Sequence, residues 1–146
     1  MRKTGEDELR ILLVEDNPAD IMLVEEALRE HNVAADMQVI SDGDAAYSYW
    51  DQFFQSGHAP CPNLVLLDLN LPKRSGLEIL QRIRETPLCV QTRVIIISSS
   101  TNTRDRRDTA DLGIYHYFRK PTHFEEFLEL GRIIKRLEGE QMQVQA

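Results

Sequence analysis

Five short β-rich runs recur along the chain, separated by longer stretches of helical period. They are RILLV at Arg10–Val14, DMQVI at Asp36–Ile40, LVLL at Leu64–Leu67, RVIII at Arg93–Ile97 and IYHYF at Ile114–Phe118. Strands that alternate with helices predict right-handed crossovers, a parallel sheet and helices on both of its faces. LVLL and the VIII of the fourth run have the continuous apolar character of central strands, whereas DMQVI and IYHYF are mixed, as edge strands are. At 146 residues the chain fits one domain with a single sizeable core. The expectation is one domain over residues 1–146, with its core at about 9–137 and tails at 1–8 and 138–146.

The intervening segments carry start signals for five helices. Asn17-Pro18 is a cap followed by a proline at the first helical position, with Ile21, Val24 and Leu28 on one face. The second helix follows Asp42-Gly43-Asp44 and presents Ala46, Tyr49, Trp50 and Phe53. Ser75-Gly76-Leu77-Glu78 reads as a capping box, with Leu77, Leu80 and Ile83 inward. Thr122-His123-Phe124-Glu125 reads as another, opening a helix to about Leu137, after which EGEQMQVQA is expected to fray. The fourth helix, Arg104 to Leu112, offers only Ala110 and Leu112 as apolar contacts and should be short and poorly anchored, with Gly113 ending it. Its Arg104–Asp108 and Arg107–Asp111 pairs have helical spacing.

Composition narrows the function classes. No apolar run approaches the ~18 residues a membrane span requires, and the N-terminus leads into no signal-like segment. The expectation is a cytoplasmic protein with no membrane partner. A net charge of −7 argues against nonspecific nucleic-acid binding, which needs a basic face. Cys61 and Cys89 lack metal-type spacing, and in that compartment they are expected as reduced thiols. The long connection Gln55–Asn63 reads as a surface loop.

The run LVLL ends on a carboxylate, Asp68, and continues as LNLPKRSG. A buried strand has no reason to finish that way unless the group lies where the sheet opens to solvent. In an open parallel sheet, ligands bind beyond the carboxyl ends of the strands, at the point where strand order reverses. Each strand end here is polar: Glu15-Asp16 after the first, Asp68 after the third, Ser98-Ser99-Ser100 after the fourth, Lys120-Pro121 after the fifth. Singly, each has a plainer explanation: a loop acid, a helix cap, a strand-end serine, a solvated lysine. If the first and third strands are neighbours, three carboxylates crowd one space and repel one another unless protons or a divalent cation intervene. Few, hard oxygen ligands beside an open position suit Mg²⁺. Asp68 then becomes a nucleophile for a phosphoryl group, with Lys120 offsetting charge on the transferred oxygens.

At these residues the chain resembles a two-component response-regulator receiver domain of the CheY-like type, over roughly Leu9 to Leu137. The resemblance implies a flavodoxin-like, doubly wound α/β fold: five parallel strands in the order 2-1-3-4-5 with five helices. It implies that Asp68 is the phosphoacceptor, that Asp16 binds Mg²⁺ directly and Glu15 through water, and that the Asn70 backbone carbonyl is a further ligand. Ser98 corresponds to the hydroxyl that moves onto the phosphoryl group, Lys120 to the lysine that pairs with it, and Tyr117 to the aromatic switch. A cis Lys120–Pro121 peptide is also implied. Two departures are small: Glu rather than Asp at position 15, and Ser rather than Thr at 98, which loses the β-branch restricting the rotamer. LLVEDNPAD and LLDLNLPKRSG further resemble small response regulators paired with bacterial phytochrome histidine kinases.

The expected partner is therefore a sensor histidine kinase, of phytochrome type, and the expected output face is the fourth helix, fifth strand and fifth helix. Asn70 and Ser100 would flank a hydrolytic water. Phe124, Phe127, Leu128, Leu130, Ile133, Ile134 and Leu137 cover more of the last helix than one core stripe needs, which predicts a homodimer through the last strand and last helix. No enzymatic role is expected beyond Mg-dependent self-phosphorylation and autodephosphorylation. Two alternatives compete: a haloacid-dehalogenase-type phosphohydrolase, which wants an Asp where this chain has Asn70, and a degenerate receiver acting without phosphate.

Overall fold

The computed structural model describes residues 8–55, 60–100 and 102–145. Residues 1–7 of the tail expected at 1–8, and the middle of the loop before the third strand, residues 56–59, lie outside them. Five parallel strands, β1 (Leu9–Val14), β2 (Ala35–Ile40), β3 (Leu64–Asp68), β4 (Arg93–Ser98) and β5 (His116–Arg119), form one sheet in the order β2-β1-β3-β4-β5. Chain direction across the sheet reverses between β1 and β3, as the doubly wound expectation requires.

Because side chains alternate along a strand, the central strands feed two cores at once. Ile11, Leu13, Leu64, Leu66, Ile95 and Ile97 face α1 (Pro18–Glu30), α6 (Phe124–Phe127) and α7 (Glu129–Gln145). Leu12, Val14, Val65, Leu67, Val94 and Ile96 face α2 (Gly43–Tyr49), α3 (Gln52–Gln55) and α4 (Gly76–Arg84). Every residue of β3 is buried, Asp68 included. Each buried aliphatic contributes about 1.5–3 kcal/mol, so the register that also buries Asp68 is imposed by its neighbours.

Local signals explain the helix starts. Asn17 Oδ1 accepts from the Ala19 and Asp20 amides with Pro18 at the first position, Asp42 caps the Ala45 amide, and Ser75 Oγ accepts from Glu78 N. The inward face of α4 is Ile79, Leu80 and Ile83, while Leu77 is only half-buried. Gly76 is required where α4 begins: a Cβ there would stand 2.4 Å from the Asp68 carbonyl oxygen. α5 (Thr103–Ala110) has one buried side chain, and it is Thr109 rather than Ala110. The Thr109 hydroxyl can bury because it donates within its own helix, with the Asp105 and Arg106 carbonyls in reach. Neither Arg104–Asp108 nor Arg107–Asp111 forms an ion pair; Asp105 instead accepts from Ser100 Oγ. Gly113, at φ 70°, closes the turn after this helix.

Three expectations are corrected. The last helix is broken at Leu128 and continues to Gln145, past the expected end at Leu137. Glu138 accepts from the Ala34 amide at 2.8 Å, and Glu140 accepts from Arg93 and Tyr115, so tertiary bonds hold the polar last turns. The N-cap of α6 is His123, with no side-chain capping bond, so the Thr122 capping box does not form. Finally, Cys61 and Cys89 are joined in a disulfide rather than present as thiols, with Cα atoms 5.6 Å apart. Cys61 precedes β3 and Cys89 lies in the 3-10 turn Pro87–Cys89 before β4; because β3 and β4 pair, their entry loops meet. Thr92 Oγ1 donates to Pro62 O across the same junction.

A 28-residue separation between the cysteines restricts the unfolded chain enough to add about 3.5 kcal/mol. Purified protein should therefore show no alkylatable thiol under non-reducing conditions, and a reductant should lower its unfolding midpoint. Two free thiols and an unchanged midpoint would contradict the cross-link.

Candidate functional site

The C-terminal ends of β1, β3, β4 and β5 lie in one row because their registers are flush. Val14 pairs with Leu67, Asp68 with Ile97, and Ser98 with Arg119. The residues next in the chain therefore crowd one rim. Glu15, Asp68 and Ser98 are buried there, and Asp16 is exposed at its edge. Carboxylate oxygens of Glu15, Asp16 and Asp68 all lie within 4.8 Å of one another.

Lys120 reaches into this cluster from β5. Its Nζ donates to Asp20 Oδ2 at 2.7 Å, Glu15 Oε2 at 2.9 Å and Asp68 Oδ2 at 3.1 Å. The second oxygens of the two buried carboxylates are also satisfied: Asn17 N donates to Glu15 Oε1 at 3.1 Å, and Asn70 N to Asp68 Oδ1 at 2.9 Å. This matters because an unpaired buried charge costs several kcal/mol. Asn70, expected as a ligand through its carbonyl, is seen here to donate its amide to the Asp68 carboxylate. Ser98 Oγ accepts from Ser100 N at 3.0 Å, next to but outside the ion cluster.

Protonation follows from burial. Desolvation is the main cause that pushes the Glu15 carboxyl up to about 7, with the neighbouring charge of Asp68 adding to it; the bonds from Lys120 and Asn17 act the other way. Burial by itself would lower the Lys120 ammonium, but the bonds to Asp20 and Glu15 and the charge of Asp68 outweigh it and hold Lys120 firmly protonated. Three carboxylates thus bond a single ammonium. The converging oxygens of Glu15, Asp16 and Asp68 form a hard donor set open to solvent on the Asp16 side, which fits a divalent cation of the Mg²⁺ or Mn²⁺ kind.

The rim gathers the acidic pair, Asp68 and Lys120, with Ser98 beside them. Tyr117 stands apart. It packs with Leu112 and Ile114 on the α4 face of the sheet, its hydroxyl is buried without a partner, and the Arg106 guanidinium covers its ring at 4.8 Å. Asp20 was missed in the sequence because an acid in a helix's first turn is explained by the helix alone. The Lys120–Pro121 peptide is trans, as are all described peptide bonds; trans is the lower-energy default for X–Pro. Among the described residues, no helix is long and apolar enough to cross a membrane.

Comparison with known proteins gives the family. Residues 11–132 match the response regulator receiver domain, and the chain belongs to that family. It is similar to response regulator Rcp1 of Synechocystis sp. (strain ATCC 27184 / PCC 6803 / Kazusa), with 34% identity over 82% of each chain. Among solved structures it resembles the phosphorylated cyanobacterial phytochrome response regulator RcpA, at TM-score 0.77 and 35% identity, covering 88% of this chain and 91% of that one. The Mn²⁺-bound form of Rcp1 is similar at TM-score 0.75 and 33% identity, covering 86% and 91%.

The raised Glu15 value has a signed consequence for the metal-free protein. Below 4.5 the carboxyl is protonated in both folded and unfolded chains; between 4.5 and about 7 only the folded protein keeps the proton. This contribution to stability is therefore complete at low pH and is lost as pH rises through about 7. In chelator-treated protein, Glu15→Gln should remove about 2 kcal/mol of the stability loss between pH 5 and pH 8. Denaturant titrations at both pH values check this, and identical pH slopes in the two proteins would contradict it.

Proposed function

We propose that the chain is a single receiver unit that accepts a phosphoryl group on Asp68 from a sensor histidine kinase of the phytochrome class. The observation that carries this reading is the buried Asp68 carboxylate, held by Lys120 and Asn70 beside the open donor set of Glu15 and Asp16. Likeness to Rcp1 and RcpA supports the phytochrome assignment. An Asp68 oxygen attacks phosphorus, a P–O bond forms, and the P–N bond of the donor phosphohistidine breaks, its imidazole leaving as a neutral ring once protonated. Mg²⁺ held by Glu15, Asp16, Asp68 and the Asn70 carbonyl would neutralise charge on the phosphoryl oxygens. Lys120 does the same from the β5 side.

The acyl phosphate brings about −1.5 to −2 charges and three acceptor oxygens to the rim. Ser98 Oγ gives up its backbone bond to reach them, and Tyr117, whose hydroxyl has no partner to lose, moves with it. α5, with Thr109 its one buried side chain, is the element best able to shift. The output face is then α5, β5 and the α6–α7 unit. The apolar residues of the last helix are mostly internal: Phe127, Leu130, Ile134 and Leu137 are buried and Leu128 and Ile133 half-buried, so Phe124, at 52% exposure, is the open apolar residue among those whose side chains are described. A homodimer through β5 and this helix would centre on Phe124, Ile133 and the unpaired edge of β5.

Incubation with Mg²⁺ and acetyl phosphate should give stoichiometric, base-labile label that Asp68→Asn reduces to background. Rapid phosphate release without accumulated label would favour a phosphohydrolase, and no label at all a degenerate receiver. For the dimer, sedimentation velocity at tens of micromolar should show a two-subunit species in the phosphorylated protein. A monomer in both states would end that part of the reading.

A further inference from the structure

Asp20 is the rim residue that neither the strand-end pattern nor the cation donor set explains. It stands third in α1, after the Asn17 cap, Pro18 and Ala19. An acid there ordinarily reaches back to the N–H of the capping residue. Here Glu15 Oε1 already accepts from that N–H, and Asp20 turns to Lys120 instead. Its 2.7 Å contact is the shortest of the three that the ammonium makes. Yet Asp20 is outside the group of carboxylates whose oxygens converge, which comprises Glu15, Asp16 and Asp68. It grips the lysine without sharing the ion-binding space.

We infer that Asp20 is a positioning residue that draws the Lys120 ammonium away from Asp68, and so sets both the divalent-cation affinity of the rim and the lifetime of a phosphoryl group on Asp68. The inference rests on the receiver reading above. While Asp20 holds the lysine, positive charge is diverted from the ion-binding oxygens and a further negative charge stands nearby; both favour a bound cation. Once Asp68 is phosphorylated, the same pull competes with the phosphoryl oxygens for the ammonium, whose charge-assisted bonds steady the acyl phosphate. Neutralising Asp20 therefore moves the two properties in opposite directions, with weaker cation binding and a longer-lived phosphoryl group. An acid that serves the helix terminus alone would change stability and neither of these.

The wild type, Asp20→Asn and Asp20→Glu are compared by isothermal calorimetry with MgCl2 at low ionic strength. Decay of the Asp68 label is then followed at saturating Mg²⁺ after removal of acetyl phosphate. Asp20→Asn should bind Mg²⁺ about three- to tenfold more weakly and retain its label severalfold longer, and Asp20→Glu should restore both. Asp20→Ser carries the same expectation should the Asn variant not fold. Equal Mg²⁺ affinity and equal decay in a folded neutral variant overturn the inference. If the wild type itself takes no label, the receiver reading fails, and the calorimetry alone decides: weaker Mg²⁺ binding supports the role of Asp20, equal binding removes it.

Discussion

The ammonium of Lys120 is the contact on which the arrangement of the rim depends. Glu15 and Asp68 are buried at the ends of strands whose other residues are almost wholly apolar, and the hydrophobic register leaves them no choice of position. Carboxylates so placed must be protonated, paired with a cation, or bound to a metal ion. Lys120 supplies a permanent partner from β5, two strands beyond β3, through a backbone held by the Lys120 N to Ser98 O bond of 2.7 Å. One positive charge does not balance four carboxylates. The residual imbalance is what the proposed divalent cation, and with it the proposed phosphoryl group, would draw on.

The two edges of the sheet are built for different purposes. At the N-terminal edge, the Cys61–Cys89 disulfide, the Thr92–Pro62 bond and the Arg84 guanidinium, which donates to the carbonyls of Leu112, Thr92 and Gly113, tie successive loops together. At the C-terminal edge the side chains are charged, and α5 beside them is nearly free of buried contacts. A rigid base with a loosely held element next to the charged rim is the arrangement through which the proposed phosphorylation would change outward shape without loss of the core.

Much of this was legible in the residues. Aliphatic runs at fixed intervals specify a parallel sheet because only continuous burial satisfies them. Glu15, Asp16, Asp68, Ser98 and Lys120 were recognisable because each interrupts such a run at the same end of its strand. Asp20 was not, since its position in the first turn of α1 already accounts for an acid. The disulfide was hidden because cellular context argued for thiols and 28 residues separate the cysteines. The length of α7 escaped because no apolar periodicity marks EGEQMQ; Glu138 and Glu140 find their partners, Ala34 just before β2, Arg93 at the start of β4 and Tyr115 just before β5, only after folding.

The order of apolar and polar residues by itself determined the strands, most helix starts, and which side chains would stand at strand ends, because these follow from burial period and local hydrogen bonding. Tertiary structure alone decided which of those ends would be neighbours, and so that Lys120 would serve three carboxylates from three separate segments. Coulombic energy depends on separation in space, and nothing in a linear chain records that Asp20 and Lys120, a hundred residues apart, come within 2.7 Å.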